Sequence, residues 1–472
     1  MAGLFYIIGW VLVWLLAGLA AVHVVLDNRQ PVKTMAWVLV ILFLPVVGVV
    51  LYIFFGINHR KEKIISQQQL DELAKRSMLN FVEQHDLRVP DRQKQLVELF
   101  SNQDMALPFK DNQIDVMTDG NAFFPELLKD ISAARHHIHI DIYIFEDDAL
   151  GNLIADALRD KARQGVKVRI VYDDVGCWRV SHCFFESMRE EGIEVAPYLP
   201  VRFPSFTSRA NYRNHRKLIV IDGKVGYVGG MNIALRYVKW RDTMLRVTGG
   251  AVYALQRAFL VDWYFVDRTL ITDRSYYPAL SHDDGLGGNN CICQLVTSGP
   301  TSAFPEIMQG YVRVIMGARR YVYIETPYFL PNEPVLFALK TAALAGVDVR
   351  LLCPRDSDAR FTEWASRSYL REVAQAGVQV YLYEPAFLHS KVMVSDDSLC
   401  ICGSVNIDFR SFENNFESSL FIYDEGTALR LKKVIQDDLR HAVSLEDVHE
   451  WMSPSWRARL CESFTRLFSP LL

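Results

Sequence analysis

The chain has 472 residues, room for two or three domains, and half of them are hydrophobic. Its net charge of −4 lacks the basic excess of most nucleic-acid binders, which argues against DNA or RNA as the main partner. The eight cysteines form no C-x-x-C pair and no zinc pattern, so no metal site is expected and a reducing compartment is favoured.

Leu4 to Leu26 is apolar except for His23, and Thr34 to Phe55 is apolar again. Each run covers the ~20 helical residues that cross ~30 Å of hydrocarbon. The link Asp27 to Lys33 is short and polar, so a transmembrane hairpin is expected over residues 1–58. A cleaved signal peptide fits less well, because no Lys or Arg precedes the first run and a second full run follows. Arg29 and Lys33 lie in the link, whereas Arg60, Lys61, Lys63, Lys75 and Arg76 follow the second run. That excess predicts both termini and the large domain on the cytoplasmic side. Residues 59–105 read as a polar helical connector that lifts the globular part off the membrane.

The remainder reads as a duplication, 106–290 and 291–472. Phe124-Pro125-Glu126 recurs as Phe304-Pro305-Glu306, and Ala134 to Ile140 recurs as Ala318 to Ile324. Gln164 to Arg169 recurs as Ala345 to Arg350. Each copy alternates helix and strand, which predicts an α/β fold: two homologous halves with mixed sheets flanked by helices around a pseudo-two-fold axis. In the first strand Ile138, Ile140, Ile142 and Ile144 share one face and His139, Asp141 and Tyr143 the other. His137, His139 and Asp141 read as a polar strand face pointing toward a site rather than as metal ligands.

The repeat carries one chemical motif twice. His215, Lys217 and Asp222 recur as His389, Lys391 and Asp396, each set reading H-x-K-x4-D. A Gly follows each Asp at the same distance (Gly229, Gly403), and so does an Asn (Asn232, Asn406). A lone His-x-Lys on a strand is usually surface polarity; a duplicate with matching Gly and Asn is not. His and Lys two apart leave the same face of a strand, so a pseudo-two-fold axis brings all four together. A neutral imidazole can attack phosphorus, and a protonated one can donate to the leaving oxygen. Two ammonium groups, with Asn232 and Asn406, can hold the non-bridging phosphate oxygens. No metal or cofactor is required. Asp222 and Asp396 belong to the catalytic sets in a supporting role, at strand ends by the turns. Each His also needs an acceptor to orient its ring. Asp242 lies 27 residues after His215 and Glu417 lies 28 after His389, so the matched spacing selects them. Glu325 aligns with Asp141 near the cleft, and Tyr328 is expected to line the pocket. Trp456, Leu460, Phe464, Leu467 and Phe468 share a helical face, with Arg457, Arg459 and Arg466 elsewhere. That pattern fits a helix lying on an anionic bilayer or one docked on the protein core.

The doubled motif with its trailing Gly and Asn resembles the phospholipase D superfamily. With the two leading runs, nearly the whole chain resembles the bacterial cardiolipin synthases of the A type. Asn211 to Asn214, Glu325 to Phe329 and Ser469 to Leu472 also carry the likeness. The resemblance implies a bacterial inner-membrane enzyme that acts on phosphatidylglycerol and other phospholipids. It implies transfer of a phosphatidyl group between two phosphatidylglycerols through a phosphatidyl-histidine, with release of glycerol. It further implies His215 as nucleophile and His389 as acid. A phospholipase D hydrolase would use the same residues with water as acceptor. A membrane-tethered nuclease is disfavoured by the two motif copies and the missing basic excess. A non-catalytic scaffold is disfavoured because every motif residue is intact. The second lipid, with phosphatidylethanolamine one option, and the oligomeric state stay open.

Overall fold

A computed structural model describes residues 2–27, 31–56, 87, 89–103, 106–201, 212–279, 291–302 and 304–471. The chain separates into one unit of Met1–Lys63 with Val201–Tyr212, and a second of Ile64–Pro200 with Arg213–Leu472. In the first unit, α1 (Ala2–Leu26) is one continuous helix, and Phe5–Leu26 is long and apolar enough to cross a membrane. The second apolar run differs from the expectation of a single span. It forms α2 (Pro31–Phe43) and α3 (Pro45–Leu51), separated at Leu44, whose φ of −131° and ψ of 68° are not helical. Pro45 is the cause, because a proline ring pushes the residue before it out of the α region. The chain bends sharply there: a Cβ on Gly48 would lie 2.8 Å from Cα of Ile41. Seven residues of straight helix would separate those positions by ~10 Å. The 13 residues of α2 reach ~20 Å, short of a full crossing. Ala17, Val24, Ile41 and Tyr52 form the buried contact among these helices.

Most of the expected connector lies outside the described residues. Its described part is a helix, Lys94–Gln103, but not a free-standing spacer. Leu96, Val97 and Phe100 are buried, and Phe100 meets Phe421 at 4.5 Å between ring centroids.

The second unit holds two sheets of matching design. The first contains β1 (Gln113–Asp119), β2 (His137–Ile142), β3 (Lys167–Asp173), β4 (Glu194–Tyr198), β5 (Lys217–Ile221), β6 (Val225–Gly229) and β7 (Arg241–Thr248). Their order is β1-β7-β6-β5-β2-β3-β4. The second half continues with β8 (Ile292–Ser298), β9 (Tyr321–Glu325), β10 (Phe329–Leu330), β11 (Asp348–Pro354) and β12 (Gln379–Tyr383). Then come β13 (Val392–Ser395), β14 (Leu399–Gly403), β15 (Ile407–Asp408), β16 (Glu417–Tyr423) and β17 (Ala442–Ser444). Its sheet order is β17-β12-β11-β9-β13-β14-β16-β8, with β10 and β15 pairing separately. Exchanging each strand for its repeat partner converts one order into the other, leaving β17 as an added edge. β2, β3 and β4 run parallel, while β2-β5-β6-β7-β1 is antiparallel, so the sheets are mixed as expected.

β2 and β5 are buried on both faces, because helices cover the sheet on each side. The isoleucines of β2 join the core beneath helix Gly120–Ala133. The opposite face of β2 corrects the expectation that its polar residues point at a site. His137 and His139 lie under helix Ala251–Asp267, where both bond Gln256 and His139 stacks on Phe259 at 4.3 Å. Only Asp141 and Tyr143, at the end of this run, approach the motif histidines, through Asn214 and His215 respectively.

Candidate active site

Each motif begins just before a central strand, and the chain there is stitched to the other half. Asn214 bridges Phe416 in parallel, with the His215 N–H donating to the Phe416 carbonyl at 2.9 Å. Arg241 bridges Leu388 in the same way, with the His389 N–H donating to the Arg241 carbonyl at 2.7 Å. The residue after Phe416 is Glu417, and the residue after Arg241 is Asp242. These two bridges therefore exchange the orienting carboxylates. His215 Nδ1 donates to the Glu417 oxygens at 3.0 and 3.1 Å. His389 Nδ1 donates to Asp242 Oδ2 at 2.6 Å. Spacing along the chain pairs each His with the carboxylate of its own half; the fold pairs it with the carboxylate opposite. Neither ring's Nε2 has a hydrogen-bond partner among the described residues.

The two carboxylates are held differently. Ser404 Oγ donates to Glu417, and Asn415 Nδ2 adds a bond at 3.3 Å. Asp242 takes the Thr243 N–H at 2.7 Å, and at the place of Ser404 it faces Gly230. A Cβ there would lie 2.9 Å from Asp242 Cγ, so only glycine leaves room for that carboxylate. Burial alone would raise both carboxyls. His215 and Lys217 outweigh it at Glu417, and His389 and Lys391 at Asp242, so both stay below the ordinary range.

Burial sets the charge of the bases. It carries His215 down to about 4, aided by Lys217 and Lys391 and opposed by Glu417. His389 falls to about 3, through burial and then Lys391. Lys217 falls to about 7 and Lys391 to about 8, again mainly through burial. At neutral pH both imidazoles are thus neutral, each with Nδ1–H pinned and a lone pair on Nε2. The ammonium groups stay close: Lys217 Nζ donates to the His215 carbonyl at 2.7 Å, and Lys391 Nζ to the His389 carbonyl. An anionic phosphate entering this space favours the protonated form of every one of these bases.

The other expected residues divide. Asn232 is close to the site but engaged, accepting the Ile144 N–H at 3.1 Å and donating to Tyr237 Oη at 2.9 Å. Asn406 is buried, donates its backbone N–H to Ser411 Oγ at 3.3 Å, and leaves its amide oxygen without a hydrogen-bond partner among the described residues. Asp222 and Asp396, expected in a supporting role, lie at the far end of the motif strand from the His-Lys pair. Four residues of β5 lie between Lys217 and Asp222, so the two are about 16 Å apart at ~3.3 Å per step, and His215 is farther still. Asp222 accepts the N–H groups of Arg135, His136 and His137 at 2.8, 2.7 and 2.9 Å. Asp396 repeats this with Arg319, Arg320 and Tyr321. Both clamp the turn after the motif strand to the start of β2 or β9. The trailing Gly229 and Gly403 serve packing as well: a Cβ would lie 2.7 Å from Cα of Met244 and 2.6 Å from Cα of Ser419.

Glu325 is buried 3.6 Å from Arg241, which also bonds Asp438 at 2.7 Å. Burial pushes its carboxyl up to about 7 against the pull of Arg241. In the first half Asp141 and Asp262 flank Arg216 instead. The guanidinium arises from different chain positions in the two halves: Arg216 stands over Phe416, while Arg241 stands where the matching motif residue is Ser390. Tyr328 lies one ring removed from the site. Its hydroxyl donates to Asp358 at 2.7 Å and its ring is 6.3 Å from Phe387, which is 5.9 Å from His389. Sequence reasoning passed over the aromatic walls. Tyr143 lies 4.9 Å from His215; Trp240 and Tyr237 lie 5.2 and 5.8 Å from His389. The position of Trp240 beside Arg241-Asp242 was the available signal.

Comparison with known proteins agrees with this architecture. Residues 127–263 and 311–439 match the family described as "Cardiolipin synthase, PLD-like domain". Residues 15–56 match "Phospholipase_D-nuclease N-terminal". The chain is 40% identical over 466 residues to a cardiolipin synthase of Geobacillus kaustophilus, covering 96% of this chain and 91% of that one. It is 38% identical over 472 residues to the major cardiolipin synthase ClsA of Bacillus subtilis, covering 96% of each. Among solved structures, phosphatidylserine synthase of Haemophilus influenzae superimposes with a TM-score of 0.62 at 14% identity. It covers 81% of this chain and all of that one, a likeness of fold.

Proposed function

The chain belongs to the cardiolipin synthases of the phospholipase D-like family, and on that premise we propose that it makes cardiolipin from two phosphatidylglycerol molecules. The reading rests on one observation: two imidazoles, each bonded at Nδ1 to a buried carboxylate of the opposite half, with both lysines close enough to act on each ring. The arriving phosphodiester anion draws a proton onto His389. His215 Nε2 then attacks phosphorus, forming a P–N bond as the P–O bond to glycerol breaks. The proton on His389 Nε2 passes to the departing glycerol oxygen. Glu417 stabilises the positive charge that grows on His215, and Lys217 and Lys391 the negative charge on the non-bridging oxygens. In the second step the terminal hydroxyl of another phosphatidylglycerol gives its proton to His389 and attacks phosphorus. The P–N bond breaks, cardiolipin leaves, and both histidines are restored. Asn232 and Asn406 bound the phosphate site.

The protein acts at a bacterial inner membrane, held by α1 and the bent α2–α3 segment, with its catalytic unit on the cytoplasmic side. The apolar length of α1 supports the attachment.

The test incubates membranes bearing the protein with labelled phosphatidylglycerol as sole lipid substrate. Cardiolipin with an equal amount of free glycerol is expected. Phosphatidic acid as the only lipid product would replace the proposal with hydrolysis. Acid quenching should trap a labelled phosphatidyl-enzyme that is absent in His215→Ala; an adduct absent only in His389→Ala reverses the roles.

A further inference from the structure

An amphipathic helix docked on a protein normally buries its apolar face. Trp456–Arg466 does the reverse. Toward the protein it presents Glu462 and Thr465, both buried. Glu462 pairs with Arg371, and Arg466 pairs with Glu372 at 2.6 Å while its guanidinium sits 3.9 Å from the Tyr369 ring centroid. Outward stand Trp456, Leu460, Phe464 and Leu467, which are 71%, 62%, 57% and 75% exposed. Phe468 extends the strip, 5.2 Å from Phe464 and 5.9 Å from the exposed Phe361. Arg457 and Arg459 are exposed beside it. Polar docking fixes the helix so that most of its apolar strip stays exposed.

The strip leads to the site. Phe361 follows Asp358 by three residues, Asp358 bonds Tyr328, and Tyr328 packs toward Phe387 beside His389. The chain end, Ser469–Leu471, packs against helix Phe409–Glu413, which directly follows β15 and the motif residue Asn406.

We propose that Trp456–Phe468 lies in the headgroup layer of an anionic bilayer, apolar face down, and so holds the His389 side of the site close to the lipid surface. The occupant is argued from the basic flank, which suits anionic lipid, and from α1, a helix of membrane-crossing length in the same chain. The inference rests on the lipid reading of the site for its purpose, not for its geometry.

The full chain is prepared with Cys183→Ser and Cys461→Ser, removing the two exposed cysteines among the described residues. Phe464→Cys then carries an environment-sensitive fluorophore. It is reconstituted into phosphatidylglycerol–phosphatidylcholine vesicles containing lipid brominated high on the acyl chain. A blue shift and loss of most emission to the brominated lipid are expected. Leu460→Glu with Leu467→Glu should abolish both and lower cardiolipin output on vesicles at least tenfold, leaving turnover of a short-chain, monomeric phosphatidylglycerol unchanged. A label that stays in water overturns the proposal. A label shielded from water but quenched only by a second labelled copy also overturns it, since another chain then covers the strip. Quenching by lipid in a protein that forms no cardiolipin leaves the docking standing and removes the proposed reaction.

Discussion

The exchanged carboxylates make a prediction that the order of the chain would not. Glu417→Gln should impair His215, although Glu417 stands in the half that carries His389. The carboxylate accepts from His215 Nδ1 at 3.0 Å, from Ser404, and from Asn415 at 3.3 Å. A glutamine keeps the shape but offers one acceptor oxygen. With its NH2 toward His215, Nδ1 must accept and the ring proton moves to Nε2, the attacking atom. Even with its oxygen toward His215, the compensating charge is gone. A hydrogen bond to a charged group contributes ~1.5–3 kcal/mol, and the wrong tautomer in a Ser-His-Asp enzyme costs ~10⁴-fold, so a loss of about 10²–10⁴-fold is expected. Asp242→Asn should instead impair His389, the proton donor. The assay is rapid acid quenching with two donors: phosphatidylglycerol, and a phosphatidyl ester of an acidic phenol that departs without a proton. The phenol ester should restore adduct formation in Asp242→Asn but not in Glu417→Gln. Adding Glu417→Gln to His215→Ala should then cost nothing further, because contacting residues are not additive. Rescue of Glu417→Gln by the phenol ester, together with additivity to His215→Ala, would refute the exchanged pairing.

Three further outcomes follow from the same geometry. The histidines titrate near 6.5 when unfolded, yet His215 lies at about 4 and His389 at about 3 when folded. Protons therefore favour the unfolded chain, and this stability is whole above about pH 6.5 and lost as pH falls toward 4, about 3 kcal/mol for His215. Thermal melts should show a shallower dependence on pH between those limits in His215→Asn than in the parent; equal slopes contradict the assignment. Gly230→Ser should displace Asp242 and cost about 10²-fold or more in cardiolipin formation, while Ser404→Gly, losing one bond to Glu417, costs ~10-fold; a neutral Gly230→Ser would show that the carboxylate is free to move. Asp222→Asn should lower the melting temperature by a few degrees, because three N–H groups lose a charged acceptor worth ~1–3 kcal/mol. Turnover per folded molecule should stay within about twofold of the parent. A tenfold fall in turnover at unchanged stability would return Asp222 to the chemistry.

Much of this protein is legible in one dimension, because a duplication writes its symmetry into the sequence. The two copies of H-x-K with trailing Gly and Asn determine the pair of histidines and the lysines, and the alternation of helix and strand around them determines the α/β class. The period of two along β2 determines which residues share a face, and its isoleucines enter one core together. The apolar run Leu4 to Leu26 determines a membrane-length helix, since helix length depends only on local composition. Other features depend on groups far apart in the chain. Which carboxylate serves which histidine was decided by two β-bridges between the halves, and no spacing within one half encodes them. Asp222 shares a motif with His215, but a strand carries it away from the ring. Pro45 was visible, yet the fold-back it permits depends on the contact of Gly48 with Ile41. The C-terminal helix shows the division most clearly. Its periodicity determined an amphipathic face; only the partners of Glu462 and Arg466 decided that the polar side faces the protein, because buried charges must find opposite charges.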